Sequence, residues 1–339
     1  MIYNIYMNIK KIFLLLIYLF STLYFAGCNQ STETNKTTKA DNNITKHEQP
    51  ENLPESGFVD DFSTGISTIA EGLTTYGLFD ENNNIIDPGK TIKIVNDTLK
   101  NSIYFAQNLP ERRDYLLILM VDYIQQDFIS NGVEYRTYPF SLEGYESIEI
   151  HVELPIQKQA NEFCYLIVTN PSIQHLSIED DGGWDKLFET SDCFASRFLL
   201  NNREETYIFD KGYTEHNIED QGTANTDCTL TKDIEGLTVM PMCESGDEVK
   251  LVLGNQEMSD AWAIVSFCNW EQVPITNDNE LYKIIKLEKN KFISYSFVMP
   301  IVDYATPYQS FSFPLSKIDT DMQYGIVKPS FRTIINKKE

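Results

Sequence analysis

The sequence predicts an all-β protein whose globular part is two tandem β-sandwich domains of immunoglobulin-like type. Three observations predict it: a strand-period alternation of apolar and polar residues, a continuous apolar run bounded by turn chemistry, and an internal repeat that carries both. Composition agrees, because 20 Phe and 19 Tyr are the large aromatics that suit half-buried pleated surfaces. The apolar fraction of 42% is that of a chain able to pack a core.

The alternation is plainest at Ile148, Ile150, Val152 and Leu154, which interleave with Glu149, His151 and Glu153. Period two with one apolar face is the pattern of a strand with one side buried. Leu116 to Val121 is apolar throughout and reads as a central strand covered on both faces. Asp80-Glu81-Asn82-Asn83-Asn84, Asn131-Gly132, Glu143-Gly144 and Asn277-Asp278-Asn279 separate such runs with turn residues. Asn131-Gly132 between apolar segments predicts a hairpin. Long amphipathic helices are absent from the pattern, and Ser63 to Glu71 is the one short helix candidate.

The repeat organises these elements. Glu71-Gly72-Leu73-Thr74 returns as Glu235-Gly236-Leu237-Thr238, and Gly89 to Val95 resembles Gly246 to Val252. Leu116 to Tyr135 aligns without gaps on Ala263 to Tyr282, so that Asp122-Tyr123-Ile124-Gln125 faces Asn269-Trp270-Glu271-Gln272. Ser147 to Ile156 matches Phe292 to Ile301, and Ser196 to Asn201 matches Phe331 to Asn336. The shared order and nearly constant offset imply two copies of one domain, over 57–205 and 206–337. Several short strands in a unit of that size suggest the sandwich; the Cys–Trp–Cys spacing of antibody domains is missing.

Ahead of the repeats, Lys10 and Lys11 precede the apolar stretch Ile12 to Ala26. That stretch is shorter than the roughly 20 residues a spanning helix needs and reads as a signal peptide over 1–27. It ends in Phe25-Ala26-Gly27-Cys28, which resembles the lipobox of bacterial lipoproteins, with Phe25 where Leu is usual. The resemblance implies cleavage before Cys28, lipid on its sulfur, and attachment to the extracytoplasmic face of a membrane at the cell surface. Residues 28–56, rich in Asn, Thr, Lys, Gln and Glu, cannot bury a core and read as a flexible tether with a reach of roughly 30 Å.

The formal net charge is −23. Such a surface repels phosphate backbones, which argues against a nucleic-acid partner. Partners left open are a glycan, a peptide or a surface protein, beside the membrane itself through the lipid. No Gly-x-Ser-x-Gly, phosphate-binding Gly loop or His-Glu-x-x-His occurs, and His47, His151, His175 and His216 stand apart from any nucleophile. No cofactor or metal site is expected, and no catalytic residue stands out. Five cysteines follow Cys28: Cys164, Cys193, Cys228, Cys243 and Cys268. Cys243 aligns with Phe79 and Cys268 with Val121, so both are expected as small buried hydrophobes, with a disulfide between them as the alternative.

Two features are candidate binding elements. The acidic loop Glu179-Asp180-Asp181-Gly182-Gly183-Trp184-Asp185 is special to the first copy and offers Trp184 as an exposed aromatic contact. It lacks the ordered spacing of a calcium loop. The duplicated motif offers Asp122, Tyr123 and Gln125 with Asn269, Trp270 and Gln272. A ring between amide and acid groups suits a sugar or peptide in each copy; it equally suits a ring packed at a sandwich edge, the reading that duplication favours. The sequence therefore reads as a lipid-anchored binding or interaction module and not an enzyme. An extracytoplasmic hydrolase on a polymeric substrate and a structural subunit of a surface complex are its rivals.

Overall fold

A computed structural model describes residues 74–172, 192–201, 207–217, 228–234, 239–255, 260–276, 279–315 and 327–338. Cys28, the tether, the helix candidate Ser63 to Glu71, His47, His175 and the acidic loop with Trp184 lie outside the described residues. So do the two Glu-Gly-Leu segments of the repeat.

The described residues form strands and no helix. The first sandwich opens with β1 (Thr75–Phe79), β2 (Ile85–Ile86), β3 (Thr91–Ile92), β4 (Thr98–Ala106) and β5 (Arg113–Val121). It continues through β6 (Ile124–Gln125), β7 (Phe128–Ser130), β8 (Val133–Tyr135) and β9 (Tyr138–Leu142). It closes with β10 (Ser147–Pro155), β11 (Glu162–Thr169) and β12 (Cys193–Leu200). The second begins with β13 (Thr214–Asn217), β14 (Thr229–Thr231), β15 (Met242–Glu244), β16 (Glu248–Asn255) and β17 (Asp260–Cys268). There follow β18 (Glu271–Val273), β19 (Tyr282–Leu287), β20 (Lys291–Val298), β21 (Thr306–Pro314), β22 (Lys328–Pro329) and β23 (Thr333–Asn336).

One sheet of the first sandwich has the order β2-β1-β4-β10-β7-β8, the other β3-β12-β11-β5-β6 with β9 also on β5. In the second sandwich the orders are β13-β20-β16-β14 and β15-β23-β21-β17-β18, with β19 on β17 and β22 on β21. In both, one short strand runs parallel to the last: β3 beside β12, and β15 beside β23. Every other pairing among the described residues is antiparallel, and the arrangement is compatible with the immunoglobulin-like type.

The alternating strands behave as their pattern requires. Along β10 the side chains of Ile150, Val152 and Leu154 are buried while Glu149, His151 and Glu153 are exposed. Along β20 and just beyond it, Ile293, Tyr295, Phe297 and Met299 line the second core. Asn131 and Gly132 both take positive φ (50° and 77°), closing the β7–β8 hairpin with a two-residue turn whose twist matches its strands. Gly144 is needed for space: a Cβ there would sit 2.2 Å from the Pro110 carbonyl oxygen.

The run Leu116 to Val121 is buried on both faces for a reason the sequence does not show. Leu117, Leu119 and Val121 fill the core of the first sandwich. Leu116, Ile118 and Met120 belong to a separate core shared with Ala263, Val265 and Phe267 of the second. The sheet containing β5, β11 and β12 thus packs on the one containing β17 and β21, and four sheets form one stack.

Strand registers correct three details of the repeat. Ile103 pairs with Ile150 and Leu251 with Tyr295, so β4 corresponds to β16. Gly89 to Val95 is therefore not the structural counterpart of Gly246 to Val252; both are apolar strands after a glycine turn and look alike in sequence. Likewise β15 corresponds to β3, which makes Ile92, not Phe79, the counterpart of Cys243. The gapless match also ends past Gln272, because the second copy has no counterpart of the β7–β8 hairpin among the described residues.

Candidate functional site

The duplicated motif forms the two turns that lead out of the central strands. Between β5 and β6, Asp122 and Tyr123 have φ of 47° and 64°; between β17 and β18, Asn269 and Trp270 have φ of 50° and 67°. Two consecutive left-handed residues make the primed hairpin turn that usually favours Gly. An aromatic in that conformation costs on the order of 1–3 kcal/mol, so its surroundings must hold it there. Asp122 Oδ1 accepts from the amides of Asn161 and Glu162, both at 2.9 Å. The amides of Asp122 and Asn269 donate to Glu162 O at 3.0 Å and Pro307 O at 2.8 Å.

Both rings point into the seam between the sandwiches. Tyr123 is 2% exposed, lies against Tyr282 and Phe313 of the second copy, and donates its hydroxyl to Glu162 at 2.5 Å. Trp270 is 9% exposed and donates Nε1–H to Pro171 O of the first copy at 3.2 Å. The two glutamines then clasp each other. Gln125 N–H donates to Gln272 Oε1 at 2.7 Å, and Gln272 N–H to Gln125 Oε1 at 2.8 Å. Their side-chain amides cross as well, Gln125 Nε2 to Trp270 O at 3.1 Å and Gln272 Nε2 to Tyr123 O at 2.7 Å. Each residue contacts the equivalent of its own neighbour, as in an isologous two-fold interface.

A buried arginine from each copy completes the joint, and among the described residues their partners differ. Arg197 donates to Glu162 at 3.1 Å. The same carboxylate receives the hydroxyls of Tyr123 and Tyr207, the latter from the segment linking the sandwiches. Burial, and secondarily the Glu162 charge, holds the Tyr123 hydroxyl well above the usual phenol range. Arg332 instead donates to backbone carbonyls of the first copy, Asn170 O at 2.6 Å and Thr169 O at 2.9 Å. Its guanidinium lies 4.8 Å over the Trp270 ring, a cation–π contact. Burial pushes its pKa down to about 9, which leaves it charged at neutral pH. At the rim Arg136 reaches Glu271 at 3.2 Å.

All six candidate residues of the motif are thus brought together at one place. What the sequence did not single out are Glu162, Arg197, Tyr207 and Arg332. Only the match of Arg197 with Arg332 hinted at them.

Asp80 accepts from Asn82 N and Asn84 N, both at 2.8 Å, and from Asn84 Nδ2 at 3.0 Å. The Asn84 side chain, followed by its amide, holds the Asp80 carboxyl below the usual range. His151 shares a hydrogen bond with Ser102, and His216 one with Ser294 while stacking on Phe292. The five cysteines after Cys28 carry no disulfide. Cys243 is buried in the second core. β23 and β21 separate its strand from that of Cys268, about 14 Å of sheet at ~4.8 Å per strand, more than a disulfide spans.

No family model matches the chain, and the curated proteins give no match to its sequence. Among solved structures, the N-terminal domain of PorA matches 38% of this chain and 99% of its own, at 7% identity and a TM-score of 0.21. The secreted serine protease VesC from Vibrio cholerae matches over 63% of this chain and 46% of its own, at 9% identity and 0.19. A two-domain protein of unknown function from Bacteroides fragilis matches over 78% and 93%, at 9% identity and 0.19. At TM-scores this low these likenesses speak to neither fold nor function.

Proposed function

We propose that the chain is a lipid-anchored extracytoplasmic interaction module, displayed from Cys28 on a tether and working as one paired-sandwich body. The observation that carries the reading is the joint. Both copies spend their shared aromatic-and-glutamine motif on each other, so the duplication serves to build a body, and recognition falls to surfaces outside the motif. Exposed apolar side chains on that body support an interaction role. Ile301 is 80% exposed and Val298 47%, both near Gly246 in the turn before β16.

Two measurements test it. A fatty-acid label should enter the wild-type chain and not Cys28→Ala, with the label on an extracytoplasmic membrane face; an unlabelled wild type rejects the anchor. A melt of the full chain against Ca²⁺, EDTA, glycans and peptides should rise by several degrees with one class. A flat panel rejects ligand recognition of those classes and favours the structural-subunit reading.

A further inference from the structure

β19 turns alternate side chains inward, burying Lys283, Ile285 and Leu287. Lys283 stands opposite Ile264 as Tyr138 stands opposite Leu117 in the first copy, so a lysine occupies an inward position that is aromatic there. Its side chain is only 2% exposed. Asp210, from the segment between the sandwiches, is pinned over it. The Asp210 amide donates to Ile284 O at 2.7 Å, and Asp210 Oδ2 accepts from Tyr295 Oη at 2.5 Å. Lys283 Nζ lies 3.9 Å from Oδ1, the oxygen other than the one Tyr295 holds, and 2.6 Å from Glu280 Oε2.

An amine, a fixed carboxyl, a hydroxyl donor on one carboxyl oxygen and a second carboxylate on the amine are the groups that amide formation requires. We propose that Lys283 and Asp210 condense to an intramolecular amide. One ammonium proton passes to the Asp210 carboxylate, giving neutral acid and amine. Nζ attacks Cγ, and Tyr295 stabilises the negative charge that develops on Oδ2. Glu280 takes the second proton from Nζ and passes it to Oδ1, which leaves as water. The C–N bond forms in the addition and the C–O bond breaks as water leaves and the Oδ2 carbonyl re-forms; Glu280 is regenerated, and no oxidant or cofactor is consumed. In water such condensation is unfavourable; fixed neighbours reach effective concentrations of about 10⁵ M or more. The product ties the inter-sandwich segment covalently to β19.

The test is peptide mass spectrometry of the full-length chain after trypsin digestion. Expected is no cleavage after Lys283, and one branched species joining the Asp210 and Lys283 peptides, lighter than their sum by one water. Glu280→Gln keeps both bond partners and changes only an exposed side chain, and should slow formation about a hundredfold or more. Separate peptides of full mass from the aged wild type overturn the proposal. Crosslinking in Glu280→Gln at the wild-type rate overturns the assignment of the proton carrier.

Discussion

The two sandwiches solve two problems differently, and the differences show what each has to tolerate. In the first, the free edge of β10 is covered from within, by the β7–β8 hairpin that follows β6. In the second, the edge of β20 is covered by β13, contributed by the segment that precedes the sandwich's other strands. An open edge invites unwanted pairing, and in the second copy a linker strand takes the place that the hairpin has in the first. The same contrast appears in the joint. Among their described partners, Arg197 faces a carboxylate, whereas Arg332 faces backbone carbonyls, the Gln309 side chain and a ring. The first copy thus sets its arginine against a buried carboxylate, and the second sets its own against carbonyls of the other copy and an aromatic ring.

That contrast sets the largest expected effect. Glu162→Ala takes the buried carboxylate away from the 4%-exposed Arg197 and from two tyrosine hydroxyls, and should cost about 3–5 kcal/mol in chemical unfolding of the full chain. Arg332→Met removes the buried charge together with its bonds to Asn170 O and Thr169 O, and should cost distinctly less, about 1–3 kcal/mol. Equal losses would mean the carbonyls of Thr169 and Asn170 are as strong a partner as Glu162, and the comparison would fail.

The glutamine clasp offers a sharper test because it is reciprocal. Gln125→Ala and Gln272→Ala should each cost about 1–2 kcal/mol. The double variant should lose less than the sum, with a coupling of about 0.5–3 kcal/mol. Additive losses would show that the two amides act separately. A second unfolding transition in the double variant would show that the clasp, more than the apolar seam, makes the body cooperative.

How far the sequence reaches can be read in these same residues. Period-two strands and the Asn131-Gly132 turn were legible because each depends on neighbours within a few positions. The burial of Leu116 to Val121 on both faces was legible too, but not what covers the second face, which is another copy of the same run. Tyr123 and Trp270 were visible as a repeated pair; that they lock into one seam rests on a packing angle between domains that no local pattern encodes. Glu162 was invisible. It sits in a strand that is otherwise apolar, and its value lies in three partners, Tyr123, Arg197 and Tyr207, spread along the sequence. Pairwise matching of short apolar strands also misled, as with Gly89 to Val95, because any strand after a glycine turn resembles another.

The smallest expected effect separates the turns of the two copies by the kind of partner their aspartates use. Asp80 is held by amides of Asn84 and Asn82. Asp247 accepts from Lys232 Nζ at 2.6 Å and from the Glu244 amide at 3.1 Å. Both carboxyls titrate below their ordinary range, Asp80 chiefly through Asn84 and Asp247 chiefly through Lys232. A depressed carboxyl stabilises the fold above its unfolded value near 3.8, and that contribution is lost as pH falls through the lower folded value. Both sites lie at the surface, so Asp80→Asn and Asp247→Asn should each cost less than about 1 kcal/mol at neutral pH. Salt distinguishes them. The Lys232–Asp247 attraction is between charges and weakens with ionic strength, whereas the amide bonds to Asp80 involve one charge and neutral donors. The penalty for Asp247→Asn should therefore shrink between low salt and about 1 M, while that for Asp80→Asn holds steady. Equal salt dependence at the two turns would mean that the backbone amide of Glu244, and not Lys232, is what holds Asp247.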